Sequence, residues 1–494
     1  MNFSLDKADQ DTRQANAAFW AMLGLSACLR VWLALRGHSI RHPDEIFQTL
    51  EQAHRLVFGY SIRPWEYREG VRWIGTPLLL TPPMLLARVF ALGPDFYVPI
   101  TRVALALFSL LPFPLFFALV RRRAGALTAA LACLLPLFWP ETLDFVGSTL
   151  SEGIAAPVFA AALCFALLVE YSSSVVRIVC LALLLCLSLC LRFHLAPAIL
   201  LIAAVGWVRM GRTRRPLFLI ALASGLVALA GLDLIFGQLP FQHIWLNAYR
   251  NLVDDVAGKF GTEPWSYYLD LLWQHWGWSI VPVGVIVLWR SKDTWLFWAT
   301  AVLIVATFSA IGHKEYRFYF PATVVFTLGA GWALAATSIW ITHRGLSTAR
   351  GAAPLVLGAL LVVPLGSAGS SYAKVLREVE DSRISAQLAA SREPDLCGLD
   401  DAIRLSVLGT AGFAFLNRDV PLGAITPKAS FASERDHFNY VIAAPDYSAT
   451  LGVDYAQLAC WEAPTSGPLC LYRRAGGCLP SDISRDPVSP EAAK

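Results

Sequence analysis

His42-Pro43-Asp44-Glu45 sets two adjacent carboxylates just past the first long apolar run, and Trp65-Glu66-Tyr67-Arg68 follows in the same loop. A carboxylate at a membrane face can take a proton from a hydroxyl acceptor, and an acid near bilayer level is costly unless it meets water, a cavity or a partner. A second cluster, His313-Lys314-Glu315-Tyr316-Arg317-Phe318, places three potential cations around one acid where two later apolar runs meet. Arg holds a phosphate through a forked pair of donors, Lys acts as a point charge, and His adds a donor. Arg102, just inside the second apolar run, and Arg192 with His194 supply further cations. Arg30, in the first run, is expected to be structural. The segment Phe260-Gly261-Thr262-Glu263-Pro264-Trp265 mixes aromatic and polar groups, which suits stacking on a sugar face and equally suits an aromatic belt at the bilayer surface.

A base, phosphate-binding cations and aromatic surfaces are the parts needed to displace a phosphate leaving group from a lipid-linked sugar. Asp44 is the candidate base with Glu45 beside it, and His313, Lys314, Arg317 and Arg102 are candidates for the donor phosphate. Trp65, Glu66, Arg72, Glu315 and Trp265 are candidate acceptor or sugar contacts. No metal ligand set is expected.

The elements that must carry these residues are membrane helices. The chain has 494 residues, 56% hydrophobic and only 15% charged, where an average soluble domain has about 25% charged residues. Mean hydropathy is +0.53, so a polytopic membrane protein is expected. The net charge of +4 lies in short clusters between apolar runs, which points to membrane topology and away from nucleic acid. Residues 1–16 are polar and the run after them is long enough to span, which reads as a retained helix and not a cleaved signal. No internal repeat is visible.

Eleven apolar runs qualify as spans, at about 17–35, 97–120, 124–140, 152–170, 175–191, 195–208, 217–236, 276–289, 295–311, 318–340 and 353–368. Arg121 to Arg123, Arg209 to Arg215, Arg290 with Lys292, and Arg344 to Arg350 then fall on one side, which the positive-inside rule makes cytoplasmic. The acidic loop 37–96, the loop 237–275, the 313–315 turn and the tail share the opposite face. Residues 1–369 form the expected membrane domain, 370–479 a small soluble α/β domain with strands at Leu405–Leu408, Tyr440–Ala443 and Leu469–Tyr472, and 480–494 a disordered end. Ile46 to Gly59 has near-helical apolar spacing and is expected to lie in the bilayer interface. Six cysteines sit in apolar runs, while Cys397, Cys460, Cys470 and Cys478 in the tail permit two disulfides of open connectivity.

The stretch from His42 to Gly59, the PWEYREGVRW run and HKEYRFYFP together resemble the glycosylphosphatidylinositol and dolichol-pathway α-mannosyltransferases of glycosyltransferase family 22. Weaker echoes occur at Gly147–Glu152, Arg102, Leu191–Pro197 and Phe260–Tyr268, in the family's order, over about Arg41 to Pro321. The resemblance implies a GT-C fold, mainly α and polytopic, a polyprenyl- or dolichyl-phosphate mannose donor, inversion at the anomeric carbon and no nucleotide-sugar site. It marks Asp44, Glu45, Glu66, His313, Lys314, Glu315 and Arg317, with Asp44 as the catalytic base and Glu45 beside it positioning the acceptor. The acceptor, a glycolipid or glycan, is left open, since Pro64-Trp65-Glu66-Tyr67 and Arg72-Trp73 depart from the family's usual Thr-Trp-Glu-Trp and Arg-Ser. The outward segments hold no Asn-x-Ser/Thr sequon, which favours a bacterial inner membrane over the endoplasmic reticulum. The alternatives are a GT-C transferase for another lipid-linked sugar, such as arabinose or glucose, and a lipid or solute transporter, which the one-sided charges and missing repeat disfavour.

Overall fold

The computed structural model describes residues 2–36, 40–170, 174–341, 369, 373, 375, 381–401, 410–423, 431–462 and 467–480. The run at 353–368, the basic loop 344–350, the strand expected at Leu405–Leu408 and the chain beyond 480 lie outside these residues. Two compact units are present: Met1–Ala34 with Val103–Arg377, and Leu35–Arg102 with Glu378–Lys494.

The other ten apolar runs fall on helices. Among the described residues, six helical stretches are long and apolar enough to cross a membrane, namely Gln10–Leu35, Pro94–Ala124, Ser151–Leu168, Arg212–Ile235, Tyr267–Trp289 and Tyr316–Ile341. Three shorter apolar helices are Ala126–Phe138, Val175–Leu191 and Phe193–Arg209. The second run breaks into Pro94–Phe108 and Pro112–Ala124, where Pro112 opens the next helix at the position that lacks a hydrogen-bond demand.

In the first unit, helix Phe320–Ile341 packs closely on Ala126–Phe138. Gly331 makes this possible, because a Cβ there would meet the Ala132 carbonyl at 2.2 Å. Arg30 is structural as expected. Its guanidinium donates to Ser26 Oγ at 3.2 Å, Ser109 Oγ at 2.9 Å and the Leu137 and Thr142 carbonyls, fastening the first helix to its neighbours.

In the second unit, the stretch after Asp44 runs as a π-helix, Glu45–Leu50, and continues as the α-helix Glu51–Phe58. The expected interfacial helix is there, but it does not lie on a surface: Ile46, Phe47, Thr49, Leu50, Glu51, Gln52, Ala53, His54 and Val57 are all buried. Apolar spacing shows one buried face and is blind to polar groups buried on the other. The tail holds a four-stranded sheet of β1 (Leu399–Asp401), β2 (Tyr440–Ala443), β3 (Tyr455–Trp461) and β4 (Leu469–Arg474), in the order β1-β2-β4-β3. β1 and β2 are parallel and the other pairs antiparallel. Helix Ser382–Ser391 covers the sheet. Disulfides join Cys397 to Cys478 and Cys460 to Cys470, the latter pair directly opposite on β3 and β4.

Candidate active site

The acidic loop belongs to the second unit. The Glu45, Ile46 and Phe47 amides donate to the His42 and Pro43 carbonyls, closing the turn that presents Asp44. The Asp44 amide donates to His42 Nδ1 at 3.2 Å, and the Asp44 carboxylate lies 3.6 Å from that nitrogen. The two acids differ in access: the Asp44 side chain is 19% exposed, whereas Glu45 is 4% exposed and accepts the Arg41 amide at 3.1 Å. Asp44 is thus the more accessible of the two acids, while the Glu45 carboxylate takes part in holding the loop. Arg102 interacts electrostatically with Glu45 and Arg41, so this cation sits with the acids.

Glu66 joins the same cluster. Gln48, on the π-helix, donates to its carboxylate at 3.0 Å. Burial raises the Glu66 pKa and the nearby Asp44 charge adds to this, while Arg72 and the Gln48 bond oppose it. Trp65 and Arg72 are half-buried beside it. π-Helical turns recur at functional sites because the extra residue re-aims neighbouring side chains.

Two further polar groups of this unit fix the loop to the tail. Glu51 is fully buried and accepts the Ile62 amide at 2.7 Å and the Ala414 amide. Desolvation outweighs these bonds and pushes its pKa up to about 8. His54 bridges the Tyr60 carbonyl and Asn417 Oδ1, each at 3.0 Å, and burial lowers its pKa. Neither residue stands out in the sequence except as a charged group inside a helix that follows the acids.

The HKEYR turn belongs to the first unit and is a chain of alternating charges. His313 contacts the Gly261 carbonyl at 2.8 Å through Nδ1 and Glu315 at 2.9 Å through Nε2. Arg317 Nε donates to the other Glu315 oxygen at 2.6 Å and lies 3.8 Å from Glu152. Glu152 in turn accepts Arg192 at 3.0 Å. Arg192 and Arg317 both lie against the Phe318 ring. Lys314 is 6% exposed, and its ammonium donates to the Glu263, Ile311 and Gly312 carbonyls at 2.8, 2.6 and 3.3 Å. It therefore pins the turn to the Gly261–Pro264 segment. The Glu263 amide completes the clasp by donating to Gly312 O at 3.0 Å. Trp265, just beyond, is exposed.

A buried group absent from the sequence reading backs this turn. Glu141 accepts Trp139 Nε1 at 2.9 Å and the Tyr319 hydroxyl, and its carboxylate lies 3.0 Å from His275 Nδ1, which also contacts the Tyr319 hydroxyl at 3.0 Å. The signal for Glu141 was available: it is an acid in an apolar stretch, which needs a partner to be tolerated. Among the described residues no group of three or more His, Cys, Asp and Glu is arranged to hold a metal ion.

The pattern of the Alg9-like mannosyltransferase family matches residues 20–371. Over 316 residues the chain is 27% identical to a GPI alpha-1,2-mannosyltransferase 3 of Xenopus laevis, covering 60% of this chain and 57% of that protein. It is 27% identical over 329 residues to a GPI mannosyltransferase 3 of Yarrowia lipolytica, covering 64% and 63%. The matched region thus spans somewhat less than two thirds of these relatives. Among solved structures, ArnT from Cupriavidus metallidurans bound to undecaprenyl phosphate superposes with a TM-score of 0.60 at 14% identity, over 96% of this chain and all of that one. The archaeal oligosaccharyltransferase AglB from Archaeoglobus fulgidus gives 0.50 at 12% identity, over 94% of this chain and 75% of that one. These likenesses show the fold: a helical GT-C membrane architecture with a small sheet near the C-terminus.

Proposed function

Because the chain belongs to the Alg9-like mannosyltransferase family, we propose that it moves a mannosyl residue from a polyprenyl- or dolichyl-phosphate carrier to a hydroxyl of a glycolipid or glycan, with inversion at the anomeric carbon. The observation that carries the reading is the division between the two acids. Asp44 is partly exposed and lies beside His42, while Glu45 is buried and tied to the loop backbone.

In the proposed step the acceptor oxygen attacks the anomeric carbon and its proton passes to Asp44. The bond from that carbon to the phosphate oxygen breaks, and the lipid phosphate leaves with one more negative charge than it carried in the donor. Arg317 and His313 are the groups proposed to meet that charge, with the buried ammonium of Lys314 adding field and holding the turn, and Arg102 balancing charge near the acids. Trp65, Glu66, Arg72, Glu315 and Trp265 are proposed sugar or acceptor contacts. The leaving group is a phosphomonoester, so one added charge must be met, and the reaction is proposed to need no metal.

The basic loops support a cytoplasmic side opposite these groups, and the reaction is proposed to occur on the extracytoplasmic or lumenal face. We propose a bacterial inner membrane in preference to the endoplasmic reticulum. The curated relatives are named for GPI mannose transfer, and a related inositol-type or other lipid-anchored glycan is the acceptor class to try first. The test is transfer by the purified full chain from polyprenyl-phosphate mannose to a glycolipid extract, with the product linkage read by NMR. An α-linked product from the β-linked donor supports the proposal. Retained configuration, or transfer only from an arabinose or glucose lipid, overturns the mechanism or the donor respectively.

A further inference from the structure

The second unit contains a pocket of about 460 Å³ that the proposed chemistry does not use. It lies where the end of helix Thr81–Val89 and the start of Pro94–Phe108 meet tail residues 391–392 and 416–418. Three arginines line it, Arg88, Arg392 and Arg418, against one acid, Asp95. Arg88 is oriented by its bond to the Val57 carbonyl at 2.6 Å. Arg392 grips Asp95 through two nitrogens, at 2.8 and 3.0 Å from one oxygen. The Arg418 side chain has no hydrogen-bond or ion-pair partner among the described residues, and the residue is half-buried. Phe58 and Leu416 add apolar lining. The lining thus carries a surplus of two positive charges in a volume typical of small-ligand sites.

The pocket's lip is continuous with an exposed apolar strip. Leu85, Leu86, Val89, Phe90 and Leu92 all stand out from the protein, Val89 at 77% and Phe90 at 63% exposure. Leu92 belongs to both strip and pocket. In a membrane protein such a strip is covered by acyl chains, since large apolar patches are not left to water. Chains along the strip would bring a headgroup to the three arginines, whose forked donors match phosphate oxygens.

We propose that this pocket binds the phosphate headgroup of a membrane lipid whose chains lie along the Leu85–Leu92 strip. The proposal holds whichever residue is the catalytic base and whichever sugar is moved, so it stands or falls separately from the transfer reaction. The full chain in detergent is titrated calorimetrically with dioctanoyl phosphatidic acid, dioctanoylglycerol and glycerol 3-phosphate, beside Arg418→Gln and Arg418→Lys. The expected result is saturable binding of the phosphatidic acid, weakened at least about tenfold by Arg418→Gln through loss of one charge-assisted contact and largely kept by Arg418→Lys. Dioctanoylglycerol should bind far more weakly. Equal binding of dioctanoylglycerol, or no effect of Arg418→Gln, overturns phosphate recognition in this pocket. Glycerol 3-phosphate binding as tightly as phosphatidic acid, with the same dependence on Arg418, assigns the pocket to a soluble phosphate and overturns the lipid. Arg88→Gln, on helix Thr81–Val89, provides a second variant with the same expected loss.

Discussion

Lys314→Met separates a pin from a phosphate contact. The ammonium makes two short bonds, to the Glu263 and Ile311 carbonyls, and a longer one to Gly312. A hydrogen bond to a charged group is worth about 1.5–3 kcal/mol. Methionine keeps the stem's volume and removes all three donors. The freed carbonyls recover part of the loss by meeting water, so the net loss is about 3 kcal/mol. That weakening is local, because the bonds close one clasp between Gly261–Pro264 and Ile311–Lys314. The Glu263 amide, which donates to Gly312 O across the clasp, reports it. Its hydrogen exchange should accelerate about a hundredfold in Lys314→Met, at 1.4 kcal/mol per decade, while core amides of Phe320–Ile341 stay unchanged. The Michaelis constant for the donor should rise as a consequence of the loosened turn. Unchanged exchange at Glu263 with a raised Michaelis constant would refute the reasoning and make Lys314 a direct phosphate ligand.

Further outcomes follow from other buried groups. Glu152→Gln leaves Arg192 and Arg317 buried with a lost counter-charge, and should cost about 3–5 kcal/mol in denaturant unfolding of the first unit; a change under about 1 kcal/mol would contradict the charge chain. Glu51 is raised from 4.5 to about 8, so the folded state holds this proton where the unfolded chain has released it. Its contribution is full below about pH 4.5 and is lost as pH rises through about 8, with a slope approaching 1.4 kcal/mol per pH unit in between. Stability of the second unit should therefore fall between pH 6 and 8 more steeply in the native chain than in Glu51→Gln, and parallel curves would dismiss Glu51 as the cause. The disulfides close loops of separation 81 and 10, so replacing Cys397 and Cys478 by Ala should cost more, about 4.5 kcal/mol against about 2.7 kcal/mol for Cys460 and Cys470, on chain-entropy grounds; unfolding of the paired variants checks the order.

Much of the architecture was legible because apolar runs report helices directly, and ten of them lie where composition puts them. Tyr440–Ala443 and Leu469–Tyr472 were also readable, since both are buried strands of consecutive apolar residues. β3 was not, because Tyr455–Trp461 is largely exposed and carries no alternation. The acidic loop and HKEYR turn stood out through their combination of residue types and their resemblance to family 22 motifs. Their internal wiring was not: periodicity does not say that Lys314 turns inward to three carbonyls, or that Glu51 reaches Ala414, 363 residues away. Cysteine pairing was open for the same reason, as spacing cannot tell which side chains the sheet brings together.

The central claim is that Asp44 is the base. The decisive measurement is the turnover of Asp44→Asn beside Glu45→Gln, with polyprenyl-phosphate mannose saturating and a glycolipid acceptor in excess, on protein shown by denaturant unfolding to keep its fold. Loss of a positioned base should lower the Asp44→Asn rate by at least about a hundredfold, with Glu45→Gln losing stability and less of its rate. Near-native turnover in Asp44→Asn, with activity abolished in a stable Glu45→Gln, would contradict the account.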